Sequence, residues 1–293
     1  MKKREYFGVG SLLVATFLYG FFGILTRMLG FSLPVFFAAW TRGLVSCVIL
    51  AIPLFGFGLW RQVQSRDWQW FVVRSVGGFF GFFGSFISFY YIPIGTAYFI
   101  FYCGVTVSGY ILGRILFGER VTKLRLWSLV LALFGLSLIY AQSLSGGNML
   151  YMSAAFVSGL GTGLWNVSSK KISGSYSDIQ LNFIDFLLQG FVFVFALSLL
   201  FHEQWVMPKL DTAWIANLLF VVMFLSTGQL VVYGFKRLDA QIGSLIMLME
   251  VLFGAFLAYL FYKETPTPYA LAGGLLILTA IILPEINWKK VKL

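Results

Sequence analysis

The sequence predicts an all-α integral membrane protein with ten transmembrane helices, arranged as two inverted five-helix repeats, with the N- and C-termini in the cytoplasm. Three observations lead to this prediction. The composition is apolar and long hydrophobic runs recur along the chain, Lys and Arg are distributed unevenly between alternate loops, and the two halves of the chain resemble one another.

The composition is that of a membrane protein. Of the 293 residues, 59% are hydrophobic and 11% are charged, and the mean hydropathy is +0.87. Soluble domains contain about 45–50% apolar and about 25% charged residues. The N-terminal MKKREYF is basic, but the apolar run that follows lacks a small-residue cleavage site, so no cleavable signal peptide is expected.

Ten apolar runs, most of about 18–20 residues or more, are long enough to cross a bilayer as helices. The seven prolines lie at or near the ends of these runs, where a missing backbone N–H costs least. The predicted spans are 8–27, 34–56, 71–91, 95–113, 124–141, 149–168, 181–201, 213–233, 242–261 and 268–284.

The net charge of +10 reflects topology. With the N-terminus placed in the cytoplasm, sixteen of the 21 Lys and Arg residues fall in inner loops and tails, and three fall outside. Short loops rich in Lys and Arg are retained on the cytoplasmic side. Both termini are then cytoplasmic, and no nucleic-acid partner is expected. The outer three are Arg27, Lys209 and Lys263, and two more, Arg42 and Arg74, fall inside spans.

An internal repeat sets the domain organisation. A shift of 145 positions places Glu119 on Glu264 and Thr122 on Thr267, within segments 94–139 and 239–283. Residues 1–145 and 146–293 are the two predicted repeats. Because each holds an odd number of spans, the copies insert with opposite orientation, and such repeats place a substrate site between them.

The same segments resemble a known family. FYYIPIGTAYFI followed by FGERVT, with its echo in LMEVLFGAFLAYLFYKETPTP, is similar to the EamA-type branch of the drug/metabolite transporter superfamily. Tyr19-Gly20 and Arg42 in AAWTRGL also match that pattern, and the resemblance covers about residues 8–284. The sequence departs from it by lacking a proline in the fourth and ninth helices. The resemblance implies a cavity lined by helices one, three, four, six, eight and nine.

Glu250 is the first candidate site residue. It lies near mid-depth in the apolar run GSLIMLMEVLFGAFLAYLF (243–261). An ionised side chain at the bilayer centre costs about 2.5–3.5 kcal/mol on insertion scales, so it usually faces a cavity or a partner. We interpret Glu250 as a substrate-contacting or proton-coupling carboxylate; the alternative is a hydrogen-bonded packing residue. Asp185, the other acid within a span, is expected to reach the cytoplasmic interface.

Further candidates are polar or amphipathic residues inside apolar runs. Arg42 could bind an anionic substrate group, pair with a carboxylate or bind backbone carbonyls. Buried tyrosine hydroxyls need partners, which an aqueous cavity would supply. Each of these residues could also simply pack, but they fall on helices from both repeats, which favours a shared cavity. The set comprises Trp40, Arg42, Tyr98, Tyr102, Trp165, Asn166, Gln229 and Glu250.

Other features predict structure. Glu119 and Glu264 are expected to stabilise the N-termini of the helices that follow them. The glycines of VGGFFGFFGSFIS (76–88) predict close helix packing. Cys47, Cys103 and the lone His202 form no metal-binding pattern, and no metal or cofactor is expected. The sequence contains neither a hydrolase motif nor a P-loop, so no enzymatic activity is expected.

Together these features predict a secondary active transporter. It would move a small organic metabolite (an amino acid, an aromatic metabolite or an organic cation) across the cytoplasmic membrane by alternating access, with protons as the candidate coupling ion. The alternatives are an uncoupled facilitator or exchanger, and a membrane scaffold subunit without transport. The expected partners are the small-molecule substrate and the lipid bilayer, and the chain is expected to be a monomer or a homodimer.

Overall fold

A computed structural model of the protein describes residues 3–30, 32–144 and 148–285, and within them every regular element is helical. The stretch from α8 to α9 is continuous through a π-helical segment, Phe186–Phe193. The α-helices are α1 (Lys3–Gly20), α2 (Phe22–Leu29), α3 (Val35–Gly56), α4 (Ser65–Tyr91), α5 (Ile94–Phe117), α6 (Lys123–Ile139), α7 (Met149–Ile172), α8 (Asp178–Asp185), α9 (Val194–Leu200), α10 (Thr212–Phe235), α11 (Ala240–Met247), α12 (Met249–Tyr262) and α13 (Pro268–Ile282).

Seven helical stretches in the described residues are long and apolar enough to cross a membrane, and α13 is a shorter apolar helix. This confirms a multi-pass, all-α membrane protein. The remaining two predicted spans, 124–141 and 149–168, are helical as α6 and α7 but are not among those stretches. The seven are Arg4–Leu29, Val35–Gly56, Ser65–Phe89, Ile94–Phe117, Asp178–Leu200, Thr212–Phe235 and Ala240–Tyr262.

The main helix contacts join the first half of the chain (α1–α6) to the second (α7–α13). The most extensive are α4 with α7, α5 with α7, α6 with α13, α1 with α10, α3 with the π-helical segment, and α1 with α12. A shift of 145 positions converts α4 with α7 into α10 with α1, and α5 with α7 into α12 with α1. The pattern of contacts is therefore unchanged when the two halves are exchanged.

Individual contacts give the helix directions. Along α4, Gly77 faces Gly161 whereas Gly84 faces Ala154, so α4 and α7 run antiparallel. Along α1, Ser11 donates to the carbonyl of Leu230 at 2.7 Å, and Gly8 lies against Leu238, so α1 and α10 are also antiparallel.

The parallel helix pairs are also related by exchange of the two halves of the chain. Gly104 of α5 faces Phe156 and Gly159, and Ser108 lies farther along, against Gly163, so α5 and α7 run parallel. Likewise, the rings of Phe17 and Phe253 are 5.4 Å apart and those of Phe21 and Phe261 are 6.2 Å apart. The α1–α2 stretch therefore runs parallel to α12.

The glycines of 76–88 allow a close contact between α4 and α7, as predicted. A Cβ atom added to Gly77 would lie 2.9 Å from the Gly161 carbonyl oxygen, and one on Gly84 would lie 2.8 Å from that of Ala154. The hydroxyls of Ser85 and Ser158 are 2.5 Å apart in the same interface. Because larger side chains would separate the backbones, α4 and α7 depend on these small residues.

The interpretation of Glu119 as a cap for the helix that follows it is wrong. Its carboxylate accepts hydrogen bonds from the backbone nitrogens of Ala240 (2.7 Å) and Gln241 (3.3 Å), and therefore caps α11 in the other half. The Nζ of Lys170 also lies 3.0 Å from the carboxylate of Glu119. Glu264 instead pairs with Arg27 at 2.6 Å, with both side chains about half exposed. The following helices α6 and α13 are capped by threonines, Thr122 and Thr267.

Three helix irregularities occur within the spans. The first span breaks at Phe21, between α1 and α2, and the stretch Ala240–Tyr262 breaks at Leu248, two residues before Glu250. Neither break contains a proline. The break at Phe21 lies beside α12, since a Cβ atom on Gly20 would lie 3.1 Å from the nitrogen of Gly254, six residues beyond the break at Leu248. The third irregularity is the π-helical segment, a conformation that is frequent at functional sites.

Candidate functional site

A cavity of about 230 Å³ lies between the two halves of the bundle, near the π-helical segment. It is smaller than the roughly 300–1,000 Å³ usual for drug-sized ligands, and therefore suits a small molecule. Its wall is built mainly of aromatic side chains and glycines from both halves. The lining residues are Tyr19, Ala39, Arg42, Gly43, Gly78, Phe82, Thr162, Trp165, Phe186, Gln189, Gly190, Val194, Phe224 and Gly228.

Arg42 places a positive charge in this wall. Its Nε donates to the carbonyl oxygen of Ala38, one turn earlier in α3, at 2.9 Å. Its guanidinium carbon lies 4.5 Å from the centre of the Phe220 ring. Among the described residues, no carboxylate lies within ion-pair distance of Arg42. Of the three roles considered for Arg42, pairing with a carboxylate of the protein is therefore not observed in these residues.

A second buried arginine is fully paired beside the cavity. Arg74 of α4 forms an ion pair with Asp185 at the end of α8, and neither side chain is exposed. Asp185 also accepts hydrogen bonds from Trp165 Nε1 at 3.1 Å and from the Ser75 hydroxyl at 3.3 Å. The expectation that Asp185 reaches the cytoplasmic interface is therefore wrong, because its carboxylate is held inside the bundle by Arg74.

Glu250 lies outside the wall of the cavity, among tyrosines. Tyr98, Tyr102 and Tyr140 are all within electrostatic range of its carboxylate. In the described residues, no Lys or Arg pairs with it. Its side chain is partly exposed although it lies near the middle of its stretch. Glu250 and its tyrosines thus form a second polar group in the bundle.

Tyr19 connects the two groups. Its side chain lines the cavity and is within electrostatic range of both Glu250 and Arg74. Because Tyr19 directly precedes Gly20 and the break at Phe21, a change in the angle between α1 and α2 would move a residue that both groups share.

The structure brings only some of the predicted site residues together. Arg42 and Trp165 line the cavity, and Tyr98 and Tyr102 surround Glu250. Trp40 packs instead in an aromatic cluster with Phe37, Phe191, Phe195 and Trp205. Gln229 lies in a separate groove between α1 and α10, beside Tyr6, Phe7 and Tyr233. Asn166 is buried beside Trp165 and is absent from both the cavity wall and the tyrosine group.

The cavity also includes residues that the sequence argument did not select. Its wall takes residues from the second and seventh predicted spans, in place of the fourth and ninth spans that the family resemblance implied. Gln189 is the main omission, and a signal for it existed, since it is a polar residue within the apolar run FLLQGFVF. Phe82, Phe186 and Phe224 could not be distinguished from the other phenylalanines of a chain that contains 33.

No group of three or more His, Cys, Asp or Glu residues that could hold a metal ion occurs in the described part of the chain. Apart from Trp165, whose Nε1 donates to Asp185, the side chains of the cavity wall that can bond a ligand are Tyr19, Arg42, Thr162 and Gln189. They can recognise a small organic molecule through one charge and several hydrogen bonds.

A multi-pass helical bundle with a charged cavity between two related halves has the architecture of a membrane transporter. The EamA-like transporter family matches residues 6–141 and again residues 149–284, and the chain belongs to this family. One solved crystal structure aligns with 95% of this chain and 98% of its own, with a TM-score of 0.77 and 17% sequence identity, which supports the fold. A comparison with curated proteins finds no match.

Proposed function

We propose that the protein is a secondary transporter that moves a small organic metabolite across the cytoplasmic membrane by alternating access. The observation that carries this proposal is the cavity at the junction of the two halves, with Arg42 in its wall. Transporters built from repeats bind substrate at the repeat interface, in sites formed by discontinuous helices. The breaks at Phe21 and Leu248 and the π-helical segment supply such discontinuities.

The proposal includes ten membrane passes in two inverted repeats, with both termini cytoplasmic. The helix directions support the inversion. Since α1, α3 and α4 follow one another through short connections, α1 and α4 run in the same direction. Because α7 is antiparallel to α4, it runs opposite to α1, its counterpart in the other repeat. The Lys and Arg distribution supports the cytoplasmic termini.

In this proposal Glu250 carries the coupling proton. A carboxylate without a basic partner inside a bilayer favours taking up a proton over remaining charged. Tyr19 would transmit the change, because it lies within range of Glu250 and also lines the cavity.

Reconstitution into liposomes tests the proposal. Purified protein alone would be assayed for flux of L-phenylalanine, 3-phenylpropanoate and phenethylamine, which share a ring and chain but differ in charge. We expect flux of at least one solute above protein-free liposomes. Ala39→Trp, which fills the cavity, should abolish that flux, whereas Val48→Trp, on the exposed face of the same helix, should retain it.

The absence of flux for all three solutes would contradict transport and favour a scaffold role. Flux that is unaffected by Ala39→Trp would exclude the cavity as the route.

A further inference from the structure

We propose that the cavity binds a small organic monocarboxylate with an aromatic or otherwise apolar body, in preference to an amino acid or an organic cation. This inference names the substrate class of the proposed transport function and rests on it for its biological meaning. It is carried by the charges of the cavity wall, and binding can be measured independently of transport.

The two arginines of the bundle interior differ in whether their charge is paired. Arg74 is neutralised by Asp185, and its Nη1 also donates to the Trp165 carbonyl at 2.6 Å. Arg42 lines the cavity and has no such partner among the described residues. An unpaired charge away from water is costly, so a site that retains one gains free energy when a ligand brings the opposite charge.

The Arg42 guanidinium is held so that its two terminal amino groups are unoccupied in the described residues. Its Nε is occupied by the Ala38 carbonyl, and its plane lies near Phe220 and Phe224, at 4.5 and 5.9 Å from the ring centres. In the described residues, no hydrogen bond occupies the two terminal amino groups, which are the donors that bind a carboxylate in the bidentate geometry. The rings hold the guanidinium in place without competing for those donors.

The rest of the cavity wall carries no negative charge. No Asp or Glu is among the residues that line the cavity. Asp185, which directly precedes the lining residue Phe186 in the sequence, already accepts hydrogen bonds from Arg74, Trp165 and Ser75. The wall therefore offers no carboxylate to an ammonium group, which disfavours both a zwitterion and a cation. Transferring an unpaired ammonium into such a site would cost free energy.

The remaining wall fits an apolar body. Phe82, Trp165, Phe186 and Phe224 provide aromatic faces. Gly43 and Gly190 bring α3 and the π-helical segment into backbone contact at the edge of the cavity, and Gly78 lies against the side chain of Gln189. Gln189 is the amide in this wall, and it can bond a second oxygen of the carboxylate or a hydroxyl on the ligand. The volume of about 230 Å³ restricts the ligand to one ring or a short chain.

Calorimetry on the purified protein in detergent tests the inference with 3-phenylpropanoate, L-phenylalanine and phenethylamine. We expect the carboxylate to bind at least about tenfold more tightly than the other two. Arg42→Gln should weaken carboxylate binding by about 10- to 100-fold, as expected for hydrogen bonds to a charged group. Arg42→Lys should retain part of the affinity, and Arg27→Gln, which alters an exposed ion pair, should retain all of it.

The outcomes separate this inference from the transport proposal. Tighter binding of the amine or the zwitterion, unchanged carboxylate binding in Arg42→Gln, or no binding of the carboxylate would each overturn the inference. Flux of phenylalanine or phenethylamine in liposomes would then still support transport. Carboxylate binding that depends on Arg42, without flux of any solute, would support the inference and contradict transport.

Discussion

Arg74 and Asp185 form an ion pair in which the two side chains are 0% and 2% exposed, and it joins α4 of the first half to α8 of the second. Trp165 of α7 donates to the same carboxylate. One charge pair thus connects three helices beside the cavity and fixes the start of the π-helical segment.

Asp185→Asn should destabilise the protein strongly. The variant leaves the Arg74 charge buried without its counter-ion, which costs about 3–5 kcal/mol. The measurement is the free energy of unfolding in a denaturant titration of the detergent-solubilised protein. Glu264→Gln is the matched control, because it removes the acid of the half-exposed Arg27 pair and should cost about 0–1 kcal/mol. Equal stability of the two variants would show that the buried pair does not hold the helices together.

Glu250→Gln should abolish the dependence of flux on the proton gradient. The amide keeps the shape of the side chain and its hydrogen-bonding capacity toward Tyr102, but it cannot take up or release a proton. The measurement is flux of a transported solute into liposomes with and without an inward proton gradient. Glu264→Gln, the corresponding change at an exposed glutamate, should respond to the gradient as the wild type does. A Glu250→Gln protein that is still driven by the gradient would exclude this carboxylate as the coupling group.

Glu119→Ala should loosen the N-terminus of α11. The carboxylate binds the backbone nitrogens of Ala240 and Gln241, and loss of a helix cap costs about 0.5–2 kcal/mol. Hydrogen exchange at these two amides should therefore become faster than in the wild type. Glu264→Ala should leave exchange there unchanged. If the Ala240 amide exchanged at the same rate in Glu119→Ala and Glu264→Ala, other contacts would be holding the N-terminus of α11.

Gly77→Ala should weaken the contact between α4 and α7. The added methyl group would lie 2.9 Å from a backbone oxygen of Gly161, so the helices must separate, at a cost of about 1–3 kcal/mol. Gly10→Ala is the control, since nothing lies within 4 Å of an added Cβ there, and alanine should stabilise α1 by up to about 1 kcal/mol. Unfolding free energies of both variants would be compared. A neutral Gly77→Ala would show that this interface tolerates larger residues.

The all-α membrane fold and the family could be predicted from the sequence because their signals are local or periodic. Apolar runs mark the spans, and the shift that places Glu119 on Glu264 marks the repeat. The same shift could not predict the different roles of these two glutamates. Glu119 contacts a helix that begins 121 residues later, and nothing in the FGERVT turn specifies that partner.

The site was predicted less well because its contacts also join residues that are far apart in the sequence. Asp185 and Arg74 are 111 residues apart, and neither residue type identifies its partner in the sequence. The break at Leu248 occurs without a proline or a glycine at that position, so residue identity gave no signal of it. Arg42 and Glu250 could be selected because charges in apolar runs are rare, but the sequence does not show that they belong to different polar groups.

The dominance of contacts between the halves has a consequence for biosynthesis. Ser11 bonds a carbonyl 219 residues farther along the chain, so α1 enters the membrane long before its partner α10 is made. The first six helices are therefore in the lipid, with their glycine-rich faces uncovered, before their partner helices are made. Contacts of such high sequence separation form late and slowly. Mutations in the first half are therefore expected to expose the nascent chain to quality-control proteases before its structure can be completed.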